Sequence, residues 1–260
     1  MELLELGENR SGEPVVLIHG FAAAAFSGWV RTGWASVLER AGFRPLGVDL
    51  PGHGPEPGTD LAGTTRAGLV GRITELVDGL GAGRPVPLVG YSLGAQLAWA
   101  AAVRRPGTGP LVLGGLGAGD RLAELGRALE GAPDASPAAR ALAAALTGRP
   151  ASGPGTDHDR RARAWTEFAR RVGADPFDPD TAVPPQPALL FAGAEDPWAE
   201  PEELARRRRA AGAPTEVLLV PGRGHVDVLT ARAARHGAVD FLRRAREVPR
   251  DPPQRSAEDP

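Results

Sequence analysis

The sequence of 260 residues contains neither lysine nor cysteine, and its 30 basic side chains are all arginine. Without lysine, the chain has no Walker-A phosphate loop, no pyridoxal Schiff base and no Ser-x-x-Lys acyl-transfer site. Without cysteine, it has no thiolate nucleophile, disulfide, iron–sulfur cluster or cysteine zinc site. We attribute the missing lysine to GC-rich coding, because arginine replaces lysine freely on most solvated faces. These exclusions hold whatever the cause.

Strong net charge and long apolar runs are also missing. A net charge of −2 creates no field that would attract phosphate backbones or anionic lipid, so we expect no nucleic-acid partner and no membrane partner. Residues 1–10 are charged and lack an apolar targeting region, and no run approaches the roughly 20 apolar residues of a membrane span. We expect a soluble, cytoplasmic protein, and the sequence leaves its oligomeric state open.

The sequence is 42% apolar and contains 35 glycines and 26 prolines. Its short apolar runs alternate with longer helical patterns, which is typical of an α/β fold with a mostly parallel central sheet flanked by helices. The predicted strands are Leu3–Leu6 at an edge, Pro14–His19, Arg44–Asp49, Val86–Tyr91, Pro110–Leu116, Ala188–Gly193 and Thr215–Val220. The predicted helices are Trp29–Ala41, Thr65–Leu80, Leu93–Arg104, Glu200–Ala211 and Val226–Arg246.

Residues 118–184 interrupt this alternation, because they contain helical pieces broken by glycine and proline and no strand pattern. We interpret them as a helical cap inserted into one sheet domain, since the stretch is too polar to bury much core of its own. The core domain then comprises residues 1–117 and 185–247. Residues 248–260 are charged and rich in proline, which predicts a disordered tail.

The strongest local signal is Gly90-Tyr91-Ser92-Leu93-Gly94, a Gly-x-Ser-x-Gly motif between a buried strand and an Ala-rich helix. The motif alone could arise by chance in a glycine-rich chain, and its position between strand and helix is what indicates catalysis. A strained turn there would expose Ser92 Oγ at the sheet edge and place the free N–H of Leu93 at the start of a helix. We predict that Ser92 is a nucleophile.

A serine hydroxyl needs a nearby base, usually a histidine that a carboxylate orients. Among five histidines, His225 follows the last predicted strand through a glycine-rich turn, at the sheet edge where ligand sites form. Asp196 follows the preceding strand and is the preferred acid, because Pro197 pins its turn, with Glu195 and Asp120 as alternatives. The chain order of nucleophile, acid and base matches one hydrolase architecture.

An acyl-transfer site also needs two hydrogen-bond donors for the oxyanion. Gly20 allows a tight turn after a strand, so the backbone N–H groups of Phe21 and Leu93 can face the same point. Gly20, Trp165 and Phe168 are candidates for the substrate pocket, with packing of the cap onto the body as the alternative for the two aromatic residues. This chemistry requires no metal and no organic cofactor.

With these motifs in this order, the chain resembles the α/β-hydrolase superfamily over residues 12–245. The resemblance rests on His19-Gly20, on the Asp-x-Pro-Gly-His-Gly loop at Asp49–Gly54, and on the predicted nucleophile, acid and base. It implies a serine esterase-like member with a short cap that hydrolyses a small carboxylic ester, a thioester or a lactone. Dehalogenases and epoxide hydrolases of the superfamily carry Asp at the elbow, so Ser92 disfavours both.

Two other hypotheses stay open. An acyltransferase, or a cofactor-free non-hydrolytic enzyme of a biosynthetic pathway on the same fold, would turn over simple esters poorly. A small-molecule binding protein would hold an ester without cleaving it, although a binder has no need of Ser, Asp and His at one sheet edge. Acyl-chain length depends on the shapes of the cap and loops, which the sequence does not give.

Overall fold

A computed structural model of the protein describes residues 1–54, 61–81, 84–147 and 157–247. Strands in these residues form one sheet: β1 (Leu3–Glu5), β2 (Glu13–Ile18), β3 (Phe43–Val48), β4 (Leu88–Tyr91), β5 (Leu111–Gly114), β6 (Ala188–Gly193) and β7 (Thr215–Val220). The order across the sheet is β1-β3-β2-β4-β5-β6-β7. β1 runs antiparallel to β3, and every other neighbouring pair is parallel. The predicted fold class is confirmed.

Helices cover both faces of the sheet. They are α1 (Trp34–Arg40), α2 (Arg66–Gly81), α3 (Leu93–Arg104), α4 (Leu122–Leu129), α5 (Pro137–Thr147), α6 (Asp157–Gly173), α7 (Pro201–Ala210) and α8 (Arg232–Glu247). Successive side chains of a strand point to opposite faces. Val15 and Leu17 of β2 therefore join a buried cluster with α1 and α8, whereas Val16 and Ile18 join one with α2, α3 and α7. This double coverage explains why the strands are almost continuously apolar.

The predicted helix Trp29–Ala41 is wrong as a single element. A π-helical turn spans Phe26–Val30, and α1 begins only at Trp34. Gly33 separates the two with φ 82°, a left-handed conformation that ends a right-handed helix. The break lets Trp29 and Trp34 pack edge to face, with ring centroids 5.5 Å apart.

The predicted helix Val226–Arg246 is also divided. A 3₁₀ turn spans Asp227–Thr230, Ala231 is extended with ψ 130°, and α8 follows. The turn is closed locally, because Thr230 Oγ1 donates to the Asp227 backbone oxygen at 2.7 Å. Among the strands, β4 and β5 begin later than the predicted Val86–Tyr91 and Pro110–Leu116, because Pro87 and Pro110 have no N–H to donate. β5 also ends early, at Gly114, before Gly115 turns the backbone with φ 60°.

Helices α4, α5 and α6 lie between β5 and β6 in the chain, within the stretch predicted to be a cap. α4 and α5 share a small buried cluster of Leu125, Ala128, Ala135, Ala139 and Ala143. Phe168 and Val172 of α6 instead belong to the core cluster on the α2 and α3 side of the sheet. The predicted disordered tail, residues 248–260, lies outside the described residues.

Candidate active site

Ser92 lies in the turn between β4 and α3. Its backbone has φ 53° and ψ −116°, a positive-φ conformation that costs a non-glycine residue about 1–3 kcal/mol. A Cβ at Gly94 would stand 2.6 Å from the backbone oxygen of His19, and one at Gly90 would stand 2.7 Å from the Cα of Ala95. These two glycines therefore allow strand and helix to approach closely enough to hold the strained turn in place.

The imidazole of His225 lies between Ser92 and Asp196. Its Nε2 is 3.1 Å from Ser92 Oγ, and its Nδ1 is 2.8 Å from Asp196 Oδ2. An ionised carboxylate only accepts hydrogen bonds, so Nδ1 carries the ring proton and the Nε2 lone pair faces the serine hydroxyl. The buried Asp196 side chain is fixed in turn, because its Oδ1 accepts the N–H of Trp198 at 2.9 Å. The structure brings the three predicted side chains into one hydrogen-bonded series.

Parallel strands deliver these side chains to one edge of the sheet. Ser92 follows β4, Asp196 follows β6 and His225 follows the turn after β7. β5 lies between β4 and β6 and continues into Gly115, where a Cβ would stand 3.0 Å from Cε1 of His225. The missing side chain at this position leaves room for the imidazole.

The two alternative acids lie in other environments. Glu195 is exposed, and its N–H donates to the backbone oxygen of Arg223 at 2.9 Å. The carboxylate of Asp120 pairs with the guanidinium of Arg66, and both side chains are buried. Of the three candidates, Asp196 is the one that contacts His225.

The loop after β2 lies beside the nucleophile. A Cβ at Gly20 would stand 3.4 Å from Ser92 Cβ, so a larger residue there would crowd the serine. His19 Nε2 accepts the N–H of Leu50 at 3.1 Å, and its Nδ1 therefore carries the proton and donates to the Gly20 carbonyl oxygen at 2.7 Å. This bond fixes the peptide plane between Gly20 and Phe21, and with it the direction of the Phe21 N–H.

The N–H of Leu93 begins α3 immediately after Ser92. Within the described residues, neither this amide nor the N–H of Phe21 donates to another protein group. Leu93 directly follows the nucleophile, Phe21 lines both cavities at Ser92, and the helix dipole at Leu93 favours negative charge.

Two buried histidines, His19 and His53, support the Gly20 loop, and their ring centroids are 5.4 Å apart. Burial lowers the pKa of His19. Burial, and then the neighbouring His19, lowers the pKa of His53 to about 3. Both rings are neutral near pH 7, and a neutral His19 is what the hydrogen bond from Leu50 requires.

Tyr91, the single tyrosine of the chain, joins the nucleophile turn to the loop that carries His225. Its hydroxyl donates to the backbone oxygen of His225, and the two ring centroids are 5.4 Å apart. Burial, followed by the nearby Asp196 carboxylate, raises the pKa of the phenol well above its usual value, so the hydroxyl keeps its proton. No sequence pattern predicted a role for Tyr91. Its position directly before Ser92 in the Gly-x-Ser-x-Gly motif is the signal that could have indicated one.

Two cavities meet at Ser92 and His225. The larger has a volume of about 230 Å³, and the smaller, of about 50 Å³, is lined in part by Gln96 and Arg121. Because a dry cavity of about 150 Å³ can hold benzene, the larger one has room for an apolar group of about nine heavy atoms. Its apolar lining includes Phe21, Trp29, Leu125, Leu142, Leu146 and Leu229.

Of the residues predicted to form the pocket, Gly20 lines the larger cavity. Phe168 does not face either cavity: it is fully buried and packs edge to face on His53, with ring centroids 4.7 Å apart. Trp165 lines a separate cavity of about 70 Å³ beside Gly52. For Phe168 the pocket prediction is therefore corrected to the alternative, packing of the helical segment onto the body. The pocket residues Leu125, Leu142 and Leu229 carry no local sequence pattern that indicates this role.

Within the described residues, no group of three or more His, Asp or Glu side chains is close enough to hold a metal ion. Among the helices of the described residues, none has the length and apolar character to cross a bilayer.

The sequence and the fold both match known proteins. Residues 15–236 match the model of the alpha/beta hydrolase family. Over 96 residues, the chain is 38% identical to a pimeloyl-[acyl-carrier protein] methyl ester esterase of Methylococcus capsulatus. That alignment covers 37% of this chain and 34% of the relative, so it spans about a third of the relative's length.

Solved structures share the fold along almost the whole chain. A bacterial membrane phospholipase A superposes with a TM-score of 0.69 and 22% identity, covering 95% of this chain and 83% of that one. A thermophilic esterase from Thermogutta terrifontis gives a TM-score of 0.66 and 21% identity, with 94% and 93% of the two chains covered. At these identities the likeness concerns the fold alone.

Proposed function

The chain belongs to the alpha/beta hydrolase family, and from this premise we propose that it is a serine hydrolase that cleaves a small carboxylic ester. The observation that carries the proposal is the hydrogen-bonded series of Ser92, His225 and Asp196, which opens onto an apolar cavity. A nucleophile, a base whose unprotonated nitrogen faces it, and a buried carboxylate are the three groups that acyl transfer needs.

In the proposed reaction, Ser92 Oγ attacks the ester carbonyl carbon while His225 Nε2 takes the hydroxyl proton. The tetrahedral intermediate then collapses and the alcohol leaves with that proton, which gives an acyl-enzyme on Ser92. A water molecule repeats the attack with His225 as base, and the carboxylic acid and free serine are released. Asp196 holds the ring in the required tautomer and stabilises the imidazolium in both steps.

The N–H groups of Phe21 and Leu93 are the proposed oxyanion donors. Their directions are set before substrate binds, one by the His19 bond to the Gly20 carbonyl and the other by the start of α3. Fixed donors need no reorganisation when charge develops, and one such donor contributes about 10²–10³ in kcat.

The proposed substrate has an apolar group that fits the larger cavity of about 230 Å³. The relative from Methylococcus capsulatus is named for the hydrolysis of a methyl ester, which supports an oxygen ester for this chain. A thioester or a lactone presents the same carbonyl carbon to Ser92, and both are included in the proposal.

We also propose the domain division predicted from the sequence, with a core of residues 1–117 and 185–247 and a cap of residues 118–184. Its support is that Leu125 of α4 and Leu142 of α5 line the larger cavity, whereas the nucleophile, acid and base follow strands of the core. In this division the cap shapes the substrate pocket and the core performs the chemistry.

Labelling with a fluorophosphonate and mapping of the modified peptide tests the proposal. We expect modification of Ser92, and loss of both labelling and hydrolysis of short-chain p-nitrophenyl esters in Ser92→Ala. Ser36→Ala removes an exposed serine of α1 and should change neither. Label on another residue, or undiminished hydrolysis by Ser92→Ala, would overturn the proposal. Labelling of Ser92 with ester turnover only when an alcohol or amine acceptor is added would favour the acyltransferase instead.

A further inference from the structure

α3 places Gln96 one helical turn beyond the nucleophile. The N–H of Gln96 donates to the backbone oxygen of Ser92 at 3.1 Å, so the two residues have i, i+4 spacing. Ser92 itself precedes α3 and has a non-helical backbone, with φ 53° and ψ −116°. Both residues line the smaller cavity, which places the Gln96 side chain on the same space as the nucleophile.

A buried guanidinium fixes the direction of the Gln96 amide. Arg66 Nη1 donates to Gln96 Oε1 at 3.0 Å, and the Arg66 side chain is only 6% exposed. Guanidinium has donors and no acceptor, so the oxygen of the glutamine amide must face it. The NH₂ group of Gln96 consequently points away from Arg66.

Arg66 is itself held on its other sides. Its Nη2 pairs with the Asp120 carboxylate, and its Nε donates to the backbone oxygen of Asp175 at 2.7 Å. Asp120 also accepts the N–H groups of Leu122 and Phe177, each at 2.8 Å. This network joins the starts of α2 and α4 to the chain after α6, so the Gln96 amide has a rigid anchor.

Within the part of the chain that the structure describes, the side-chain hydrogen bond of Gln96 is the one that its oxygen accepts from Arg66, which leaves the NH₂ group for a ligand. Arg121 also lines the smaller cavity, and none of the described residues that line this cavity is acidic. The Arg121 side chain is 53% exposed and lies 3.8 Å from Glu124, which places it at the rim. A neutral donor near the serine and a cation at the rim are complementary to an oxygen acceptor.

We propose that Gln96 is a specificity-determining residue that donates a hydrogen bond from Nε2 to an oxygen on one arm of the substrate. The inference rests on the proposed serine hydrolase activity. The substrates favoured are esters with a carbonyl or carboxylate oxygen a few bonds from the scissile group, and an apolar group on the other arm for the larger cavity. A carboxylate on the substrate is stabilised further by the positive charge of Arg121.

Matched esters test this proposal. Butyl levulinate differs from butyl pentanoate by a carbonyl in place of one methylene, and a keto-pentyl butanoate differs from pentyl butanoate in the same way on the alcohol arm. Monobutyl succinate replaces the terminal methyl of levulinate by a carboxylate oxygen. Acid release in a pH-stat gives kcat/KM for each ester, and the keto-to-plain ratio within a pair cancels a general loss of activity.

In the wild type we expect the keto ester to be preferred in one of the two pairs. Gln96→Met removes the amide and should lower that ratio by roughly 3- to 10-fold, the value of one neutral hydrogen bond. Gln96→Glu keeps an oxygen toward Arg66 but turns the donor into an acceptor, so the ratio should fall at least as far and monobutyl succinate should lose most. Arg121→Gln should lower kcat/KM for monobutyl succinate and leave the keto-to-plain ratio unchanged.

Unchanged ratios in both pairs for Gln96→Met and Gln96→Glu would overturn the assignment of Gln96, while labelling of Ser92 and hydrolysis of the plain esters would leave the proposed function standing. If the wild type hydrolyses none of the esters and Ser92 is not labelled, the proposed function fails and this inference fails with it. Thermal unfolding of each variant separates a lost hydrogen bond from a lost fold, because only misfolding would lower the melting temperature and all five rates together.

Discussion

The Cα of Gly193 lies against the backbone carbonyl group of Arg223, so closely that a Cβ on Gly193 would stand 2.5 Å from the carbonyl carbon. Gly193 ends β6 just before the loop with Asp196, and Arg223 lies in the turn that leads to His225. The Glu195 N–H donates to the same Arg223 carbonyl at 2.9 Å. This contact joins the loop of the acid to the loop of the base.

Gly193→Ala should therefore separate the two loops and weaken the hydrogen bond between His225 and Asp196. A displacement of about 1 Å in a catalytic group costs about 10²-fold in rate, and we expect a loss of that order in kcat/KM for p-nitrophenyl esters. Gly79→Ala is the control, because a Cβ there meets nothing within 4 Å on an exposed face of α2. Equal activity in the two variants would contradict the proposed coupling of the loops.

Asp196→Asn should abolish the tautomer that the reaction needs. An amide NH₂ facing His225 would leave Nδ1 without its proton, and Nε2–H could then no longer accept from Ser92. We expect kcat to fall by about 10⁴-fold with little change in the folded structure, as measured by ester hydrolysis and circular dichroism. Asp240→Asn changes an exposed carboxylate of α8 and should retain activity. A loss below tenfold in Asp196→Asn would argue that Asp196 does not orient the base.

The parts of the fold that the sequence predicted well are those that depend on local pattern. β6 and β7 have the predicted ends. β6 is buried along its whole length, and such a parallel strand forms one apolar run between turns. β7 is a partly exposed edge strand, and its run is bounded by Pro214 and Pro221. The position of Ser92 could be predicted because the glycines of its motif are needed where strand and helix meet. The proximity of Asp196 and His225 to it could be predicted because both follow strands that end at the same edge; their catalytic roles stay predictions.

The features that the sequence could not predict depend on contacts between residues that are far apart in the chain. Gly33 divides the predicted helix because its left-handed backbone fits Trp34 onto the sheet, and nothing local distinguishes it from other helical glycines. Arg66 reaches Gln96 and Asp120 across 30 and 54 residues of chain, so no spacing rule connects them. Trp165 and Phe168 have i, i+3 spacing on one helix, and the pattern does not distinguish them. Packing against the body places Phe168 in the core.

The strained backbone of Ser92 predicts a difference between two inactive variants. Glycine adopts positive φ without steric cost, whereas alanine keeps the Cβ that strains the turn. Ser92→Gly should therefore have a free energy of unfolding about 1 kcal/mol above that of Ser92→Ala, after the entropy of glycine in the unfolded chain is subtracted. In thermal unfolding this corresponds to about 2–4 °C. If the alanine variant is as stable as the glycine variant, the turn carries no such strain.

The low pKa of His53 predicts loss of stability in acid. Its folded pKa of about 3 lies below the usual value of 6.5, so the unfolded chain binds the proton first. The contribution of His53 to the free energy of unfolding is complete above pH 6.5. It is lost as the pH falls toward 3, at up to about 1.4 kcal/mol per pH unit. Urea unfolding at several pH values should give a shallower decline for His53→Gln than for the wild type. His236→Gln, at an exposed site, should keep the wild-type slope, and a common slope for all three would refute the prediction.

The single tyrosine also makes the loop of the base accessible to spectroscopy. Because Tyr91 is the only tyrosine, ¹³C labelling at the ring Cζ produces one resonance, and the hydroxyl on that carbon donates to the backbone oxygen of His225. Movement of that loop during acylation would change the chemical shift of this ring without any engineered probe. The protein therefore carries a natural reporter at the junction of nucleophile and base, through which loop motion and turnover can be timed in the same sample.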